Sequence, residues 1–157
     1  MRTKIKVGVA CAALAAFSWG GRVAAQQRME SPERQIFNAA NQARRAQGLM
    51  PLKWNAVLAR AAHQHAEVMA RQNALAHQFP NEPSLATRAS HAGLYFISIA
   101  ENVAQGPDPE NVSDQWVKSP QHRQNLLDPD MNVIGIGVAE RDGELFAVED
   151  LAKIKPQ

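Results

Sequence analysis

Glu101 and Asn102 sit in the run Ile97–Gly106, ISIAENVAQG, with His77 upstream and His122 downstream in SPQHRQN. A carboxylate set among Ile97, Ile99, Ala100, Val103 and Ala104 is partly desolvated. That costs roughly several kcal/mol unless a cation, a metal or hydrogen-bond donors stabilise it. His77 and His122 are candidate partners; the other reading is that Glu101 caps a turn or accepts backbone N–H groups. His122 falls at the third position of a helix opened by Ser119-Pro120, where the helix dipole disfavours an imidazolium. A neutral imidazole suits a metal ligand or general base, against the simpler reading of an exposed or capping histidine. Ser119 is read as the N-cap of that helix, which argues against a serine nucleophile.

The elements that must position these groups are marked by punctuation. Ser31-Pro32-Glu33, Asp108-Pro109-Glu110 and Ser119-Pro120-Gln121 each place a capping oxygen before a proline at the first helical position. The spacing predicts helices over Pro32–Gln47, Pro109–Lys118 and Pro120–Leu127, with Gly48 closing the first. A further helix runs from its N-cap Asn55 to Asn73, with Leu58, Ala61, Ala62, His65, Val68 and Met69 on one apolar face. His65 is therefore read as a hydrogen-bonded core residue, and His63 as a surface residue paired with Glu67. His91, in the stretch Thr87–Gly93, is read as loop.

At the C-terminal end, Val133–Glu140 and Glu144–Leu151 flank Asp142-Gly143, a pair suited to a type I′ hairpin. Ile134, Ile136 and Val138 alternate with Gly135, Gly137 and Ala139, so one strand face is bulky and the other bare enough for close approach. A third strand is expected around Leu94–Ile99.

Met1–Ala25 reads as a secretory signal: a basic start at Arg2, Lys4 and Lys6, an apolar core Val7–Phe17, and Val23-Ala24-Ala25 before cleavage after Ala25. The core is about half of the ~20 residues that span a bilayer. A lipoprotein signal would need its cysteine at the end of that core, and Cys11 lies inside it. The expected organisation is signal 1–25, short tail 26–30, one domain 31–152 and tail 153–157. Cys11, the only cysteine, leaves with the signal, so the mature chain has neither a disulfide nor a thiol nucleophile. Of 17 Lys and Arg, four lie in the signal; the remaining 13 face 15 acidic residues, a formal net charge of −2. No basic run suggests nucleic acid.

Taken together, the motifs resemble the CAP superfamily, the cysteine-rich secretory, antigen 5 and pathogenesis-related 1 proteins, and within it the disulfide-free bacterial SCP-like extracellular branch. They are Asn41-Gln42-Ala43-Arg44, Pro51-Leu52-Lys53-Trp54-Asn55, Leu75-Ala76-His77, Ala100-Glu101-Asn102-Val103-Ala104, Trp116 to Asn125, Ile134-Gly135-Ile136-Gly137 and Ala147-Val148-Glu149-Asp150-Leu151. The resemblance implies an α+β fold, an α-β-α sandwich with a small, mostly antiparallel sheet between helices. It implies a cleft lined by His77, Glu101, Asn102 and His122. His77, His122 and Glu101 would be the ligands of a weakly held divalent cation such as zinc. The resemblance places a second acid of longer family members just after the tryptophan of the Trp116 helix, where this chain has Lys118 and Ser119. The expected function is a secreted or periplasmic module that binds a small ligand, a lipid or a protein partner. The alternative is a metal-assisted hydrolase with Glu101 as catalytic base.

Overall fold

The computed structural model describes residues 30–155. The signal read at 1–25 and most of the short tail lie outside the described residues. In chain order the elements are α1 (Pro32–Ala46), β1 (Lys53–Trp54), α2 (Ala56–Gln72), α3 (Leu85–His91), β2 (Ser98–Gly106), α4 (Pro109–Lys118), α5 (Pro120–Leu126), β3 (Val133–Arg141) and β4 (Glu144–Lys153). The sheet has the order β1-β3-β4-β2, with β1 parallel to β3 and the other pairs antiparallel. Ile36, Ala40, Val112, Trp116 and Leu126 from α1, α4 and α5 pack on one face with Ile134, Ile136, Ala147 and Leu151. Ala62, Ala66 and Met69 from α2 pack on the other with Val103, Phe146 and Val148. The result is the expected α-β-α sandwich.

Local chemistry explains most of the boundaries. Asn55 accepts the Leu58 N–H at 2.9 Å and Asp108 accepts the Asn111 N–H at 2.8 Å, each satisfying a donor that the helix itself leaves free. Past α1, Gly48 at φ 71° lets the Leu49 N–H reach the Arg44 carbonyl and its own N–H reach Arg45, both at 3.0 Å. Asp142 and Gly143, at φ 53° and 82°, form the hairpin turn as expected.

Four sequence expectations need correction. The third strand is not Leu94–Ile99 but Ser98–Gly106; Glu101 and Asn102 interrupt the apolar alternation that would have marked it. His91 is not in a loop: Ser84 caps a seven-residue helix that ends at His91, too short to show a helical period. The two-residue β1 was not anticipated, and pairing with β3 alone defines it. Ser119 does stand at the N-cap of α5, and its backbone N–H also ends α4, but its side chain makes no capping bond.

The bare face of β3 has the expected consequence. A Cβ at Gly135 or Gly137 would fall well inside van der Waals contact with the α2 backbone, at Ala59 and His63 respectively. Backbone on both sides leaves no flexible group to yield. Gly137→Ala is expected to lower stability by about 3 kcal/mol in urea unfolding. A loss below about 0.5 kcal/mol would mean that α2 does not rest on β3 in this way.

Candidate functional site

β2 is the outer strand beyond β4, and its register sets Glu101 opposite Asp150 and Asn102 opposite Glu149. Successive side chains of a strand point to opposite faces. Glu101 and Asp150 therefore face α2 and α3, while Asn102 and Glu149 face α1, α4 and α5.

On the first face, His77 follows the left-handed cap Asn73 that ends α2, and its Nδ1 lies 2.9 Å from Glu101 Oε1. Arg88, from the middle of α3, donates its Nη2 to Glu101 Oε2. Its Nη1 donates to the carbonyls of His77 at 3.2 Å and Pro83 at 3.1 Å, so one guanidinium both neutralises Glu101 and secures the segment carrying His77. Behind them, the fully buried His65 makes a 2.6 Å contact from Nδ1 to Glu82 Oε1 and a 2.8 Å contact from Nε2 to the Ala76 carbonyl. It is the hydrogen-bonded core histidine expected. His63 is exposed, 3.7 Å from Glu67.

On the second face, Asn102 Nδ2 donates to Glu149 Oε1 at 2.8 Å and to the His122 carbonyl at 3.0 Å. Its Oδ1 accepts from Asn125 Nδ2 at 2.9 Å, and the same Asn125 amide reaches the Glu101 carbonyl at 3.4 Å. Arg44 of α1, almost fully buried, donates to the carbonyls of Met50, Leu126, Asp128 and Met131.

Burial pushes the Glu149 carboxyl up to about 7, against the opposing pull of the Asn102 hydrogen bond and the Arg44 charge. Asp150 is raised well above the usual carboxylate range, first by burial and then by the facing Glu101 charge, with Arg88 opposing. His122 is lowered, chiefly by burial and secondarily by His77, which favours its neutral form.

Thus His77 and Glu101 meet directly. Asn102 reaches His122 through the backbone. Among the described residues the His122 ring makes no hydrogen bond to Glu101, and its Nδ1 is buried without a protein partner. Sequence reasoning missed Arg88, Glu149 and Asp150. For the two acids a signal existed: they interrupt Leu145–Ala152 just as Glu101 interrupts its own apolar run. For Arg88, on a short unrecognised helix, none did.

A thin α-β-α sandwich with a His/Glu cluster at the outer strand defines a recognisable class of domain. The chain belongs to the cysteine-rich secretory protein (CAP) family, which matches residues 37–150. It is 30% identical over 122 residues to YkwD of Bacillus subtilis (strain 168), covering 77% of this chain and 47% of that one. It is 32% identical over 107 residues to the membrane protein YlbC of the same organism, covering 68% and 31%. The chain thus spans about half or less of the length of these relatives. Its fold superposes with TM-score 0.73 on an extracellular protein containing a SCP domain from Bacillus anthracis str. Ames, at 27% identity, covering 78% of this chain and 40% of that one. It superposes with TM-score 0.72 on an outer surface protein from Borrelia burgdorferi, at 20% identity, covering 79% and 93%. No described helix is long and apolar enough to cross a membrane.

Two stability predictions follow from the buried charges. Arg88→Met leaves Glu101 buried with only the exposed His77 beside it and is expected to cost roughly 3–5 kcal/mol in urea unfolding. Adding Glu101→Gln should recover much of that loss; additive losses instead would show that the two side chains are not partners. For Glu149, the folded value near 7 lies above the ordinary 4.5. Between those values the native state holds a proton that the unfolded chain has released, so this contribution is full below the window and lost as pH rises through it. Glu149→Gln should remove a pH-dependent loss of about 3 kcal/mol at most, leaving the variant relatively more stable at pH 8 than at pH 5. Equal effects at both pH values would refute the assignment.

Proposed function

We propose that this protein is an exported, extracytoplasmic binding module whose cleft at the outer edge of β2 receives a small ligand or partner segment beside His77 and His122. The observation that carries this reading is the engagement of Glu101. One oxygen faces His77 Nδ1 and the other receives the Arg88 guanidinium. A general base must have its carboxylate within reach of the substrate proton, and here that charge is already countered by a buried arginine. Export is supported by the leader at Met1–Ala25 and by likeness to the extracellular SCP-domain protein of Bacillus anthracis.

The donor set expected for a divalent cation was His77, His122 and Glu101. On our reading Glu101 is committed to Arg88 and His77 rather than to a cation. His77 turns Nδ1 to Glu101, Glu101 is held by Arg88, and the His122 Nδ1 is buried. Among the described residues, no group of three His, Cys, Asp or Glu is placed to hold a metal ion. A cation taken at Glu101 Oε1 would compete with the His77 Nδ1 contact, while Arg88 stays on Oε2. The two imidazoles instead offer directional hydrogen bonding at the mouth of the cleft, His122 in its neutral form.

Calorimetric titration of the metal-stripped exported protein with zinc chloride tests this, beside His77→Ala and His122→Ala. The expected affinity is on the order of micromolar or looser, about −8 kcal/mol or less favourable. No zinc-dependent cleavage of ester or peptide substrates should accompany it. A dansylated fatty acid serves as a small-ligand probe, and each histidine change should weaken its binding in part while the fold survives. Tight one-to-one zinc binding lost in both variants, with cleavage restored by zinc, would establish the hydrolase reading instead.

A further inference from the structure

The cleft leaves one buried group without a role. Glu149 lies in the middle of β4, fully enclosed on the face where Ile136, Val112 and Trp116 pack. An apolar residue would suit that environment better. Its Oε1 accepts from Asn102 Nδ2, and its Oε2 has no protein partner. The same Asn102 amide donates to the carbonyl of His122, in the first turn of α5, and its Oδ1 accepts from Asn125 near the end of that helix. Arg44, whose charge acts on Glu149, donates to the carbonyls of Leu126, the last residue of α5, and of Asp128 beyond it. The seat of α5 therefore rests on two buried polar anchors, Asn102 and Arg44, and Glu149 bears on both.

We propose that Glu149 is a positioning residue for His122: through Asn102 it fixes the first turn of α5 against β2, and with it the place of the His122 imidazole in the cleft. The argument is one of donors and acceptors. A side-chain amide buried in the sheet needs acceptors for its N–H groups and a donor for its oxygen. Glu149 and the His122 carbonyl supply the acceptors and Asn125 supplies the donor, so the amide is bonded on both sides. Without Glu149, one buried N–H of Asn102 loses its acceptor, and the bond to the His122 carbonyl is no longer held from behind. Of the charged groups, Arg44 from α1 acts on Glu149, and Glu149 in turn bears on Asp150; β2 contributes Asn102, while β3 and α4 contribute apolar side chains. Asp150, the next residue, lies on the reverse face of the sheet.

Only the consequence for ligand rests on the cleft reading, since the seat of α5 is measurable in the free protein. The experiment follows the Asn102 side-chain amide, the His122 ring and the α5 backbone amides by NMR in the unliganded exported protein, for wild type, Glu149→Gln and Glu149→Leu. Glu149→Gln keeps an acceptor and should leave the ring and amide signals close to wild type. Glu149→Leu should shift both, and hydrogen exchange in α5 should quicken about tenfold while α2 is unchanged. In the wild type the Asn102 amide should also inflect near neutral pH, and in Glu149→Gln it should not. Unchanged His122 and Asn102 signals in folded Glu149→Leu would overturn the proposal. If that variant does not fold, an unchanged His122 ring signal and unchanged α5 hydrogen exchange in folded Asn102→Ala would overturn it. Should the NMR outcome hold while the dansylated fatty acid ignores His122→Ala, the cleft reading fails and the positioning role stands.

Discussion

Four polar side chains occupy adjacent rungs at the centre of the β2–β4 ladder: Glu101 beside Asp150, and Asn102 beside Glu149. Strand geometry sends one pair to each face, so neither layer of helices can be purely apolar where it crosses them. Each layer must supply partners at that level. On one side α3 supplies Arg88, with His65 and Glu82 behind it. On the other, α1 brings Arg44 near Glu149 and α5 brings Asn125 to Asn102. The placement of the short helices α3 and α5, which have too few turns to be stable alone, is tied to these polar rungs.

The same rungs lie next to an open sheet edge. An outer strand exposes unpaired backbone groups and invites pairing with another chain. Here side chains from the helices occupy part of that edge: Asn125 reaches the Glu101 carbonyl at 3.4 Å and Gln115 reaches the Gln105 carbonyl at 2.8 Å. Both residues come from α5 and α4, the helices that follow β2 directly in the chain. The helices that meet the polar rungs therefore also shield the strand that carries them. A sandwich without disulfides gains from this, because no covalent bond would restrain a strand that began to pair elsewhere.

The outline of the fold was legible because its signals are local. Capping oxygens followed by proline, the α2 apolar face, the Asp142-Gly143 turn and the Gly135/Gly137 alternation each state their structure within a few residues. The outer strand was misplaced for a physical reason: its centre carries Glu101 and Asn102, whose partners come from distant helices, so no local pattern announces that they are buried. Arg88 was invisible for the same reason, since its role depends on α3 meeting β2. The sequence did single out the carboxylate in need of a partner. It could not say that the main partner would be a guanidinium as well as an imidazole. Glu149 and Asp150 break the apolar run of β4 just as Glu101 breaks that of β2.

Buried ion pairs and carboxyls are a poor way to gain stability, since hydrophobic residues of similar volume often serve as well or better. What they provide is direction. An apolar contact between α5 and the sheet would tolerate small slides and rotations, whereas an amide bonded to Glu149, Asn125 and the His122 carbonyl fixes one register. Arg88 does the same for the chain at His77, which it holds by the carbonyl while neutralising the carboxylate that orients the ring. His77 thus enters from a segment of little regular structure and His122 from the short helix α5, yet each is referred back to the rigid β2–β4 ladder through one buried polar group. Short segments gain fixed geometry in this way without enlarging the core of a small α-β-α sandwich.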